Sequence, residues 1–232
     1  MTERDWFAGP VAERYDEWTA QMPVEPVLDF LEPFAAGGAL ELAIGTGRIA
    51  LPLARRGVRV AGIDLSPDMV AQLRKKPGGD DIPVAIGDYA TTRVDGTFSL
   101  AYIVFNSINN NTTQEGQVAT FENAAAHLEP GGCFVVEVGV PKSGRLSVFD
   151  VSDTHVGVDE FDADTQHSVS HHFSLIDGRW ERISMPFRSV YPAELDLMAR
   201  LAGMRLRERW SDWNREPFTA ESRKHVSVWE KP

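Results

Sequence analysis

Between Leu40 and Ser66 the chain reads LELAIGTGRIALPLARRGVRVAGIDLS, and Gly45-Thr46-Gly47-Arg48-Ile49-Ala50 within it fits the G-x-G-x-x-A form of a dinucleotide fingerprint. A glycine-rich turn after a buried strand and ahead of a helix lets a ligand approach the backbone, because Gly45 and Gly47 carry no Cβ. The N-terminus of the following helix offers free N–H groups and partial positive charge to a carboxylate or phosphate. Asp64, nineteen residues after Gly45, ends the next apolar run and can accept hydrogen bonds from two ribose hydroxyls. Together these residues specify an adenosine-containing ligand. Taken singly, the glycine pair is equally a plain tight turn, and Asp64 equally an acid capping the next helix.

Three features weigh against a nicotinamide dinucleotide. Glu41, four residues before Gly45, is an odd neighbour for a pyrophosphate and a sensible one for a ligand carrying an ammonium group. Asp88, in IGDYAT at the end of a third apolar run, can accept from an adenine exocyclic amine while Tyr89 lies beside the ring. The last two strand-like runs, finally, read as an antiparallel hairpin rather than a parallel continuation. The ligand these features favour is S-adenosylmethionine.

Such a convergence requires successive parallel strands that end on one side. From residue 39 to 138 the short apolar runs ALELAI, VRVAGID, IPVAIGD, FSLAYIVF and GCFVVEV alternate with helix-like segments at 48–56, 67–76 and 114–128, the pattern of βαβ units. Ser66 is placed to cap the second helix, with Pro67 at its first position. Two helices, at 11–21 and 24–35, precede this core and could cover a sheet edge or close over a ligand. After it, residues 145–190 alternate near period two and carry Asp177-Gly178 between strand-like runs, which predicts a small antiparallel insertion. A helix at 192–203 and the paired strands RLRERW and HVSVWE complete the chain.

The chain resembles the class I S-adenosylmethionine-dependent methyltransferases. The similar stretches are LELAIGTGR, GIDLSPDMV, IGDYAT, FNSINNNTTQEGQVATFENAAAHLEPGG and YPAELDLMARLAGMRLRERW with HVSVWEK, in the expected order over residues 11–230. Within that superfamily it is most similar to bacterial small-molecule methyltransferases with a β-rich insertion after strand five, a group that includes enzymes acting on amino sugars. The resemblance implies an α/β, Rossmann-like doubly wound fold: a seven-stranded, mostly parallel sheet with an antiparallel last strand, plus the antiparallel insertion. It divides the chain into a cofactor-binding core at 1–144 and 191–232, with an N-terminal helical cap, and an insertion at 145–190 covering the substrate side. It implies cofactor contacts at Glu41, Ala43, Gly45, Gly47, Asp64, Asp88 and Tyr89, to which their neighbours Leu65 and Phe105 are added. Ala43 is a departure, since the family has its first motif glycine there, and its methyl narrows the space beside the methionine moiety.

Methyl transfer from a sulfonium is an in-line displacement, so alignment and desolvation dominate, and the acceptor enters over the strand ends. Asn106, Ser107 and Asn109, Tyr15 and Trp18 of the first helix, and the insertion bound that region. Asn106 could orient an acceptor through its amide or simply shape a polar loop, as Asn110 and Asn111 do. In a strand, His167 and His171 share a face and His172 points the other way; the favoured reading is solvent-facing strand histidines, and His171 is the candidate if one of them serves as base. No metal ion is expected, because the histidines lack a matched carboxylate spacing. Trp210 reads as apolar packing, whereas Trp213, in a polar loop, could border an acceptor pocket.

The remaining composition bounds the reading. A net charge of −11 with scattered basic residues repels phosphate backbones, so no nucleic-acid partner is expected. One cysteine, Cys133 in an apolar run, excludes a disulfide framework. The opening MTERDWFAGPVAERYDEW has acids throughout and no apolar core of secretory type, and no run approaches a membrane span. The expectation is a cytoplasmic enzyme, monomer or homodimer, that moves a methyl group from S-adenosylmethionine to an N or O nucleophile of a metabolite and releases S-adenosylhomocysteine. The alternatives are a module that binds the cofactor without transfer, and an NAD(P)-dependent oxidoreductase.

Overall fold

A computed structural model of the protein describes residues 5–141 and 144–232. Seven strands form one sheet in the order β10-β11-β5-β4-β1-β2-β3. Strands β1 (Ala39–Leu42), β2 (Val60–Asp64), β3 (Val84–Ile86), β4 (Phe98–Ile103) and β5 (Leu128–Gly139) pair in parallel. Strand β11 (Lys224–Glu230) runs antiparallel both to β5 and to β10 (Arg205–Trp210). The chain works outward from β1 in both directions, so the crevice between the carboxyl ends of β1 and β4 is the topological switch point where doubly wound sheets bind ligands.

Period-two alternation sends successive residues of each strand into opposite apolar layers. In β4, Leu100 and Tyr102 join Phe30, Leu31, Leu53 and Val135 on one face, while Ala101 and Ile103 join Leu40, Leu42, Phe121 and Trp229 on the other. Helices α2 (Glu25–Leu31) and α3 (Ala50–Arg55) cover the first face, and α5 (Gln114–His127) and α6 (Pro192–Leu201) the second. Ser66 caps α4 (Pro67–Arg74) by accepting from the Met69 N–H at 3.3 Å, with Pro67 at the first position. Several elements are shorter than the apolar runs suggested. The run IPVAIGD yields only β3, because β3 is the sheet's outer strand and Ile86 is half exposed there.

Strands β6 (Leu146–Val151), β7 (His155–Phe161), β8 (His167–Ile176) and β9 (Arg179–Arg188) form a separate antiparallel sheet. The β8–β9 turn is Asp177-Gly178 with φ of 50° and 76°, the two positive values that a tight hairpin matching the strand twist needs. The end of β9 is moored to the core by Arg188. Its guanidinium donates to Gln117 at 2.5 Å, to Gln166 at 3.0 Å and to Glu194 at 2.7 Å, which ties the sheet to the N-terminal turns of α5 and α6.

Candidate active site

The two acids and the glycine turn meet above the ends of β1 and β2. Asp64, the last residue of β2, is buried and takes one backbone N–H on each oxygen: Gly45 on Oδ2 at 2.6 Å and Ser66 on Oδ1 at 2.8 Å. Each oxygen keeps a lone pair for a further donor. Burial raises the Asp64 pKa, and the two N–H groups oppose that shift. Glu41 is also buried and lies beside Tyr102 in the β1–β4 register, where the phenol donates to Glu41 Oε2 at 2.9 Å. Burial pushes Glu41 up to about 8, against the Tyr102 hydrogen bond and the Arg48 charge. A buried carboxylate so weakly compensated suits an ammonium partner.

Both glycines of the turn face side chains of α4. Gly45 has φ of 57°, and a Cβ there would stand 3.2 Å from Met69 Cε. At Gly47, with φ of 77°, it would sit 2.4 Å from Leu73 Cδ1. Side chains of α4 therefore take up the space beside both glycines, most tightly at Gly47, a correction to the expectation that both stand open to the ligand. Ala43 adopts φ of 60°, the left-handed region, which strains any residue with a Cβ.

Asp88 follows β3, one strand over from Asp64. Its Oδ1 accepts the Ala90 N–H at 2.8 Å within a turn. The Tyr89 ring is buried in the α5-side layer and its hydroxyl donates to the Ser107 carbonyl at 2.7 Å, so it joins the end of β3 to the segment after β4. Leu65 is half-buried next to Asp64. Phe105 and Asn106 are consecutive left-handed residues, with φ of 56° and 62°, held by Glu137: its Oε2 accepts from Phe105 N and its carbonyl from Asn106 N. The Arg48 guanidinium lies 5.5 Å from the exposed Phe105 ring. Asn106 Oδ1 accepts from Gly139 N at 2.7 Å, so its carbonyl end shapes the loop. Asn109 Oδ1 is buried and has no hydrogen-bond partner among the described residues.

Helix α1 (Pro10–Thr19) brings Tyr15 within electrostatic range of Arg48, Glu41 and Asp64, and burial pushes its hydroxyl up to about 12. Trp18 is instead 50% exposed. Trp213 corrects a second expectation. It is 8% exposed, packs edge-on against Phe30 at 5.3 Å and belongs to the α2-side core, because the polar loop around it folds it inward. His171 bonds Ser184 Oγ at 2.8 Å through Nδ1. The neighbouring face carries a chain unseen in the sequence: Asp150 Oδ2 to His155 Nδ1 at 2.6 Å, His155 Nε2 to His172 Nδ1 at 3.1 Å, and His172 Nε2 to Ser170 Oγ at 3.3 Å. Among the described residues no three His, Cys, Asp or Glu side chains gather as a metal site.

A family model described as a methyltransferase domain matches residues 39–132. The solved CcbJ methyltransferase from Streptomyces caelestis superposes with a TM-score of 0.88 at 34% identity, over 98% of this chain and 99% of that one. The chain belongs to the class I S-adenosylmethionine-dependent methyltransferase superfamily. It is also 27% identical over 209 residues to the cypemycin N-terminal methyltransferase of a Streptomyces species, covering 86% of this chain and 85% of that protein. A dTDP-3-amino-3,4,6-trideoxy-α-D-glucopyranose N,N-dimethyltransferase of Streptomyces venezuelae is 34% identical over 102 residues, 44% of this chain and 42% of that protein. The protein is thus a methyltransferase whose methyl donor is S-adenosylmethionine.

The residues on hand fit that cofactor: Asp64 has acceptor capacity for ribose hydroxyls, Glu41 offers a buried carboxyl that an ammonium would ionise, and the left-handed turn at Gly45 is tied to Asp64 through its N–H. Tyr102, Arg48, Asp16, Thr46 and Lys76 also belong to this region and were not singled out from the sequence. Tyr102 was accessible in principle, since strand pairing in this fold sets it directly beside Glu41.

Proposed function

We propose that this methyltransferase methylates an amine nitrogen of a small metabolite or peptide. The observation that carries the reading is likeness over 86% of the chain to the cypemycin N-terminal methyltransferase, joined by partial likeness to two dTDP-amino-sugar N,N-dimethyltransferases. In this reading Asp64 accepts the ribose hydroxyls, Glu41 receives the ammonium of the methionine moiety, Asp88 accepts the adenine amine, and the turn at Ala43 to Gly47 with Leu65 and Phe105 lines the cofactor. The cofactor supplies an electrophilic methyl on a positively charged sulfur. The chain's own task is to exclude water and align a neutral amine behind that methyl. Tyr15, over the junction of Glu41 and Asp64, and Asn106 and Asn109, after β4, border the acceptor. His171 and the His155–His172 pair, on the four-stranded sheet, are the groups available to carry the departing proton.

The same reading assigns residues 1–144 and 191–232 to the cofactor-binding core and 145–190 to a cover on the acceptor side. An acidic surface and one buried thiol support a cytoplasmic enzyme, monomeric or homodimeric, with a small-molecule acceptor rather than nucleic acid. Among the described residues no helix is long and apolar enough to cross a membrane.

The test is incubation of the purified chain with isotopically methyl-labelled S-adenosylmethionine and a panel of dTDP-amino sugars, peptides with free N-termini and hydroxylated metabolites, read by mass spectrometry. Label on an amine nitrogen is expected. Label found only on hydroxyl oxygens overturns the nitrogen assignment, and tight cofactor binding without product across the panel indicates a binding module.

A further inference from the structure

The polar groups at the ends of β1 and β2 are covered by protein, whereas Asp88, one strand further out, is half-buried. Glu41, Asp64 and Thr46 are buried, Thr46 to 1% exposure, and the flanking Gly45 and Gly47 are buried too. A nucleoside cannot reach them unless a covering element moves. The covering element with the least apolar anchorage is α1. Its buried residues are Ala12 and Thr19 alone, whereas the shorter α2 buries Val27, Leu28, Phe30 and Leu31.

Polar contacts hold α1 down instead. Asp16, next to Tyr15, accepts from Thr46 Oγ1 at 2.6 Å through Oδ1 and meets Lys76 Nζ at 2.5 Å through Oδ2. Lys76 Nζ also donates to the Thr46 carbonyl at 2.8 Å, closing a triangle between α1, the glycine turn and the segment after α4. At the other end of the helix, Gly9 N donates to Asp68 Oδ2 at 2.7 Å. Asp16 and Lys76 both keep contact with solvent, with side-chain exposures of 45% and 27%. Each contact is therefore of modest strength and open to screening by salt.

We propose that Asp16 is a positioning residue that latches α1 shut over the cofactor cleft, and that opening this Asp16–Thr46–Lys76 triangle is the step that admits and releases the S-adenosyl ligand. The latch joins the residue beside Tyr15 to the middle of the glycine turn. Closing it sets Tyr15 over Glu41 and Asp64 and locks the turn in the same motion. Breaking it frees both.

The test uses S-adenosylhomocysteine as the probe, so it needs no acceptor and stands apart from the nitrogen-acceptor reading. Its release rate is measured by stopped-flow displacement for the full chain and for Asp16→Asn, Lys76→Met and the double variant. Because one such exposed contact shifts an equilibrium by at most about 5-fold and each substitution removes one or two of them, each single variant should release the probe faster by about 3- to 10-fold. The double variant should be no faster than the quicker single one, since both substitutions break the same latch. Release from the unmodified protein should also accelerate between about 0.05 and 0.5 M salt, and the variants should lose most of that dependence. Unfolding midpoints of the unliganded variants serve as the check on folding, and Lys76→Met carries the test should Asp16→Asn be unstable. Release rates within about twofold of the unmodified protein, or a salt dependence that survives both substitutions, overturn the latch.

Discussion

Gly45 and Asp64 are joined by a 2.6 Å hydrogen bond from the glycine N–H to Asp64 Oδ2, so the turn after β1 and the end of β2 are one unit rather than two neighbouring loops. The bond fixes the carboxylate, leaves each of its oxygens a lone pair, and braces Gly45 in its left-handed conformation. Asp64→Ala removes two ligand acceptors together with this brace. With hydrogen bonds to a charged group worth about 1.5–3 kcal/mol each, affinity for S-adenosylhomocysteine should fall by at least about 100-fold, read by calorimetry. Near-normal affinity would remove Asp64 from the ribose site.

Glu41 makes cofactor binding proton-linked. Its folded-state pKa of about 8 lies above the ordinary value of 4.5, so the folded protein holds this proton more tightly than the unfolded chain does. This group's stabilising contribution is complete below about pH 4.5 and is lost as pH rises toward about 8. An ammonium seated beside Glu41 favours the carboxylate and expels the proton. Calorimetry near neutral pH, in buffers of different ionisation enthalpy, should therefore show net proton release on binding S-adenosylhomocysteine, and Glu41→Gln should abolish it. Equal release from both proteins would place the linked group elsewhere.

Ala43 occupies a backbone region that disfavours a side chain. At φ of 60°, Ala43→Gly relieves strain of about 1–2 kcal/mol, partly offset by the extra freedom that glycine brings to the unfolded chain. The expected outcome is unchanged or slightly raised stability in urea, by up to about 1 kcal/mol, with cofactor affinity equal or improved. A loss of more than about 1 kcal/mol would mean that packing around the methyl outweighs the backbone strain.

The convergence of Glu41, Gly45 and Asp64 was legible in the sequence because it is made of backbone turns and strand ends, which short-range pattern specifies. Glu41, Gly45 and Asp64 sit at the carboxyl ends of β1 and β2 because apolar period, turn and cap all point the same way there. The acceptor half depends on long-range placement. Nothing local tells that Trp213 folds back onto Phe30, or that Tyr89 turns inward to Ser107. Nor could strand alternation, which separates His171 from His172, reveal that His155 of the preceding strand would complete a chain with His172. Those outcomes rest on which elements pack together, and no spacing within one element encodes them.

Trp213 separates a packing role from an acceptor-wall role. At 8% exposure, edge-on to Phe30, it contributes apolar area to the layer between α2 and the sheet, while the Arg215 guanidinium covers Phe30 at 4.5 Å. Trp213→Ala should cost about 3–5 kcal/mol in urea unfolding, the range for truncating a large buried aromatic. Trp213→Phe keeps most of the buried area and should cost less than half of that. If Trp213 acts through packing, KM for whichever amine the panel identifies stays near normal in Trp213→Phe, and kcat follows the folded fraction alone. An acceptor wall gives the reverse: Trp213→Phe raises KM while the unfolding midpoint scarcely moves.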